Sequence, residues 1–130
     1  MGYYSNMPEP VTVFVVDEEP VIATTLVTIL NMYGFRATAF ANATDTIKAA
    51  QDNCPSALVT EIVMREMNGV DLAIHIKSIC PNCKVLLCSG QYIPSDVFAR
   101  ATRAGCDYEV LAKPLQPDVL INEIRAALGL

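Results

Sequence analysis

Five short apolar runs alternate with stretches of helical periodicity along the 130 residues, and this alternation limits the fold more than any other feature. The runs are residues 11–16, 35–40, 57–61, 84–89 and 109–112. In the first, five of six residues are apolar and mostly β-branched, with no alternation, as in strands covered on both faces.

The stretches between them carry helix signals. Pro20 suits a first turn, Ile22, Leu26, Ile29, Leu30 and Tyr33 follow at helical spacing, and Gly34 stops the helix. Asn42 is placed to cap a helix that buries Ala43, Ile47 and Ala50, with Pro55 ending the connection. Leu72, Ile76, Ile79 and Cys80 mark a third helix closed by Pro81. Ser95 is the expected cap of a fourth, carrying Val97, Phe98, Ala101 and Ala104 and ending at Gly105. Pro117 opens a fifth with Leu120, Ile121, Ile124 and Leu128 inside. No connection is long, so right-handed crossovers lead to a doubly wound, five-stranded parallel sheet with helices on both faces. The expectation is a single α/β domain over residues 11–129, of flavodoxin-like (βα)5 type, with residues 1–10 as a flexible lead-in.

Charge and composition narrow the function classes. The net charge is −5 with no block of like charges, which argues against a nucleic-acid surface on this domain. No apolar run approaches the roughly 20 residues of a membrane helix, and residues 1–10 lack signal-peptide features, so a cytoplasmic protein is expected. Five cysteines, an odd number, are read as reduced thiols. Cys80 and Cys83 have CxxC spacing but no second pair or histidine beside them, and His75 is read as a partly buried structural residue.

Chemistry-bearing residues fall at the carboxyl ends of the runs, where open α/β sheets place their sites. Asp17, Glu18 and Glu19 follow the first run, Glu61 ends the third, Ser89 and Gly90 end the fourth, and Lys113 with Pro114 follows the fifth. Carboxylates converging in one crevice repel unless a cation lies between them, and oxygen ligands of that kind suit Mg2+. A lysine and a hydroxyl opposite can hold phosphoryl oxygens. Acids, hydroxyl and lysine in this order make a phosphoryl-handling site.

In these motifs the chain resembles the two-component response-regulator receiver domains, over roughly residues 11–129. Asp17, Glu18, Glu19 and Pro20 resemble the family's first acidic motif. Thr60, Glu61 and Met64 with Gly69 resemble its phosphoacceptor strand and loop, Ser89 its switch residue, and Lys113 with Pro114 its lysine and following cis bond. The resemblance implies that Asp17 holds Mg2+ mainly through water and Glu18 directly, with Glu61 at the acceptor position of the metal site and the Val63 backbone carbonyl as the remaining protein ligand. It also implies a partnership with a sensor histidine kinase or another signalling protein. A homodimer through the helix 4–strand 5–helix 5 face is a further family expectation.

Three departures from the family pattern change the expected chemistry. The acceptor position holds Glu61 rather than aspartate, which displaces the carboxylate by roughly the 1.5 Å of a C–C bond; misplacement of about 1 Å can cost about a hundredfold in rate. Arg65 stands where the family usually has proline. Counting back from Lys113 puts Val110 at the switch-aromatic position, with Tyr108 two residues earlier on the same face. The leading expectation is therefore a pseudo-receiver, a signalling module and not an enzyme, with Mg2+ binding weakened or absent. The alternative is a working phosphoacceptor using Glu61 or Asp17 with Mg2+. A flavodoxin-type binder or an aspartyl phosphatase fits worse, because the first loop is acidic and Asp17 is followed by Glu18 and Glu19. A stand-alone receiver and a piece of a longer regulator are both compatible with the sequence.

Overall fold

The computed structural model describes residues 10–130; all of the predicted lead-in except Pro10 lies outside them. Strands β1 (Thr12–Val16), β2 (Arg36–Phe40), β3 (Ala57–Glu61), β4 (Lys84–Ser89) and β5 (Glu109–Ala112) form one sheet in the order β2-β1-β3-β4-β5. Every pairing is parallel. Helices α1 (Pro20–Met32), α2 (Ala43–Asp52), α3 (Gly69–Ile79), α4 (Ser95–Arg103) and α5 (Pro117–Leu128) make the crossovers. The predicted α/β fold is the observed one.

Alternate residues of each central strand serve opposite faces of the sheet. Phe14, Leu58, Val85 and Leu87 face a core completed by Leu72 and Ile76 of α3. Val13, Val15, Val59 and Leu86 face a second core, closed by Leu26 and Leu30 of α1 and Ile121 and Ile124 of α5. Burial on both faces explains why the inner strands read as unbroken apolar runs.

Several local expectations change. Ser95 is the first residue of α4 rather than its cap; Pro94 takes the cap position, and no side chain caps that end. Asn68 accepts a hydrogen bond from the Asp71 N–H at 2.8 Å and caps α3, just as Asn42 caps α2. Tyr33 sits at the α1 C-cap and is exposed, because the helix ends before its side chain reaches the core. His75 is exposed rather than partly buried, lying on the α3 flank away from Leu72 and Ile76.

The reading of five reduced thiols is corrected as well. Cys54 and Cys80 form a disulfide, while Cys83, Cys88 and Cys106 are free and buried. The two bonded residues are 26 positions apart, yet the fold brings their Cα atoms to 5.6 Å, within the range a disulfide spans.

Candidate functional site

The carboxyl ends of β1, β3 and β5 bring Asp17, Glu61 and Lys113 together. Lys113 Nζ donates to Asp17 Oδ2 and to Glu61 Oε1, both at 2.7 Å. All three side chains are largely enclosed, Asp17 most of all. Asp17 Oδ1 accepts from the Glu19 N–H at 2.9 Å, and Glu61 Oε2 accepts from the Ile62 N–H at 2.9 Å. Each oxygen of both carboxylates thus has a donor. Burial by itself would lower the Lys113 ammonium, but the hydrogen bonds and charges of Asp17 and Glu61 outweigh it and hold the lysine above its ordinary value.

The backbone around the pocket is tightly tied. The Lys113 N–H donates to the Ser89 carbonyl at 3.1 Å, and the Lys113–Pro114 bond is cis, as the resemblance implied. The Gly69 N–H donates to the Ile62 carbonyl at 2.7 Å, and a Cβ on Gly69 would overlap the Glu61 carbonyl oxygen. Only glycine lets the start of α3 come this close to the end of β3.

Other predicted residues lie apart from this triad. Glu18 turns to the loop after β3, where its Oε2 accepts from the Arg65 N–H at 2.9 Å and pairs with Arg65 Nε at 3.5 Å. Ser89 Oγ donates to the Gln91 carbonyl at 3.0 Å and accepts from the Gln91 N–H at 3.2 Å. Neither side chain hydrogen-bonds Glu61 or the Lys113 ammonium. Val63 comes after Ile62 in the loop with its side chain exposed. Tyr108 stacks on Phe98 of α4, with ring centroids 5.8 Å apart, whereas Val110 is 50% exposed.

Two residues to which the sequence assigned no role matter here. Cys88 pairs with Glu61 across β3 and β4, and its thiol lies buried beneath the triad. Burial pushes it up to about 12; Glu61 and Asp17 add to the rise, and Lys113 opposes it. Glu66 accepts from the Thr44 N–H at 3.0 Å and the Thr44 hydroxyl at 2.9 Å, tying the loop after Glu61 to the first turn of α2. Its signal was its carboxylate alone, since Thr44 lies 22 positions away.

Carboxylate oxygens suit Mg2+ in kind. As placed, these oxygens have other partners. The Lys113 ammonium stands between Asp17 and Glu61, and Glu18 is drawn to Arg65. Among the described residues, no three His, Cys, Asp or Glu side chains converge on a common point. The arrangement neutralises charge with a fixed internal cation. Beside it, a cleft of about 690 Å³ opens between α1 and the segment that follows β5, lined by Ile22, Leu26, Glu61, Lys113, Pro114 and Leu115.

A family model described as the response regulator receiver domain matches residues 13–125. The probable transcriptional regulatory protein TcrX of Mycobacterium tuberculosis is 32% identical over 120 residues, which cover 92% of this chain and 50% of TcrX. The response regulator receiver protein CpdR of Brucella abortus is 33% identical over 103 residues, 79% of this chain and 84% of CpdR. A CheY-like receiver domain protein from Methanospirillum hungatei superposes with a TM-score of 0.85 at 21% identity, covering 93% of this chain and 95% of its own. The chain spans half the length of TcrX and 24% of the regulator NtrC from Azospirillum brasilense. No helix of the described residues is long and apolar enough to cross a membrane.

Proposed function

Because the chain belongs to the response regulator receiver domain family of two-component signalling, we propose that it is a pseudo-receiver whose acceptor position is Glu61. On this reading it is not phosphorylated on aspartate and acts by protein–protein contact. One observation carries the proposal: both oxygens of the Glu61 carboxylate are engaged, one by Lys113 and one by the Ile62 N–H. A carboxylate held this way is turned toward the lysine rather than out to an incoming phosphoryl group, and its extra methylene already delivers negative charge there. The imitation of a phosphorylated state is partial, since glutamate brings one charge where a phosphoryl group brings about 1.5 to 2.

The remaining roles are consistent with the same reading. Asp17 holds the Lys113 ammonium, and Ser89 is held in its own turn until the loop rearranges. Mg2+ binding is weakened, because displacing the ammonium from two carboxylates opposes it. The partners are a sensor histidine kinase or another signalling protein in the cytoplasm. The exposed Val110 and Val119 support a contact surface on α4, β5 and α5, through which a homodimer forms. No enzymatic turnover is required of the domain.

The test is incubation of the chain and of its Glu61→Asp variant with acetyl phosphate and Mg2+, followed by intact mass. The parent remains unmodified and the variant gains a phosphoryl group. A stoichiometric adduct on the parent, mapped to Glu61 or Asp17, would establish the working phosphoacceptor instead.

A further inference from the structure

At the opposite edge of the sheet, where the strands begin, lies a second chemically distinct site. Cys54 is exposed in the connection from α2 to β3, and it is bonded to Cys80, the buried C-cap residue of α3. A cleft of about 370 Å³ opens over the bond, lined by Cys54, Cys80, Cys83, Pro55, Pro81 and Leu128. We propose that Cys54 and Cys80 are a reversible thiol–disulfide exchange site, reached from solvent through Cys54, whose co-reactants are small or protein dithiols and disulfides. This site operates whatever the role of Glu61.

Three observations support exchange over a permanent staple. An incoming thiolate needs access to one sulfur of the bond, and the connection presents Cys54 at the mouth of a cleft. Cys80 is also held by contacts other than the bond. The Cys80 N–H donates to the Ile76 carbonyl at 2.7 Å, and the residue packs in the α3-side core, which accepts a buried thiol as readily as a half-cystine. The third sulfur in the cleft cannot intercept the reaction, because burial pushes the Cys83 thiol up to about 12, against a smaller opposing pull from Lys77.

The chemistry balances without any further reagent. A thiolate of the dithiol attacks Cys54 Sγ, forming a mixed disulfide, and Cys80 Sγ leaves with the electron pair and takes a proton. The second thiol of the reductant then attacks its own sulfur in the mixed disulfide and expels Cys54 as a thiol. The dithiol is oxidised to its disulfide, and the protein gains two electrons and two protons. A small disulfide reverses both steps. Reduction unties the end of α3 from the exit of α2, while the start of α3 stays pressed on the Glu61 carbonyl through Gly69. A redox input thus acts on the helix that comes after Glu61.

The test counts thiols in the full chain by maleimide trapping in denaturant, with non-reducing peptide mapping. Protein exposed to oxidised glutathione should show three thiols, those of Cys83, Cys88 and Cys106, and a linked Cys54–Cys80 peptide. Dithiothreitol under native conditions should raise the count to five without loss of the far-ultraviolet circular dichroism signal, and oxidised glutathione should restore three. Amide exchange should rise on reduction in the last turn of α3 and in residues 53–56, and not in β5. Cys83→Ser should leave the cycle intact, whereas Cys54→Ser should abolish it. A linked Cys80–Cys83 peptide, reduction only after unfolding, or a count unchanged by either reagent would overturn the proposal.

Discussion

Lys113 at the end of β5 and Glu61 at the end of β3 are joined at 2.7 Å across the intervening strand β4. The same ammonium reaches Asp17 beyond β3, so one side chain ties three strand ends. Removing it leaves two carboxylates facing each other in a largely enclosed pocket. Lys113→Met should therefore cost about 2–4 kcal/mol, somewhat below the loss for a fully buried pair because the pocket opens to a cleft. Equilibrium urea unfolding measures it; a change under about 0.5 kcal/mol, as for an exposed pair, would contradict the pocket's energetics.

The pH dependence of that contribution is set by the raised lysine. A group with a higher value in the folded state stabilises fully below its unfolded value, and that stabilisation is lost as pH rises through the folded one. The stability difference between the parent and Lys113→Met should be flat from neutral pH to near the ordinary lysine value of 10.5 and shrink only above it. Thermal unfolding of both proteins across the alkaline range gives the curve. A difference that already falls between pH 7 and 9 would assign the effect to another group.

If the ammonium is the pocket's internal cation, an external one should matter most where it is missing. Mg2+ should shift the unfolding temperature of the parent little and raise that of Lys113→Met, with chelator reversing the gain. Equal shifts in both proteins would show that the lysine does not compete with the ion.

Gly69→Ala tests the close approach of α3 to β3. Its Cβ has no space against the Glu61 carbonyl oxygen, and the obstacle is backbone rather than a flexible side-chain tip. A loss of about 2–4 kcal/mol is expected, at the upper end of what overpacking costs. Urea unfolding again provides the number, and Gly34→Ala, at a site with open space but a positive φ of 92°, separates steric from backbone effects.

Cys83 and Cys88 should resist maleimide in the folded protein. Both are pushed to about 12 from an ordinary 9.0, chiefly by burial, which lowers their thiolate fraction at pH 8 by about a thousandfold. Labelling should track global unfolding, accelerating with urea. The raised values also make the folded state lose stability as pH climbs from 9 toward 12, since the unfolded thiols ionise first.

The strands were legible because burial on both faces leaves few polar residues between the turn signals, and Pro20 and Pro117 mark helix starts by backbone geometry alone. Asp17, Glu61 and Lys113 could be gathered into one pocket because parallel strands deliver their ends to one edge. What escaped depended on distances that sequence spacing does not encode. Cys54 meets Cys80 through the packing of two connections, and Glu66 meets Thr44 across 22 positions. Asn68 did carry a signal, an Asn three residues before Asp71, but Gly69 beside it reads as a turn rather than as the first residue of a helix. Ser89 and Glu18 sit where expected in the chain, yet their rotamers answer to local partners, Gln91 and Arg65, and not to the pocket.

The bond from Glu66 to Thr44 makes the loop after Glu61 a latch on its neighbour. Swinging that loop outward strips Thr44, the second residue of α2, of the carboxylate that accepts from its amide and hydroxyl, so the movement is felt in the first turn of a helix that makes no hydrogen bond to the Lys113 or Asp17 side chain. Any partner that pulls the loop open therefore leaves a footprint on the β2 side of the molecule, far from β5.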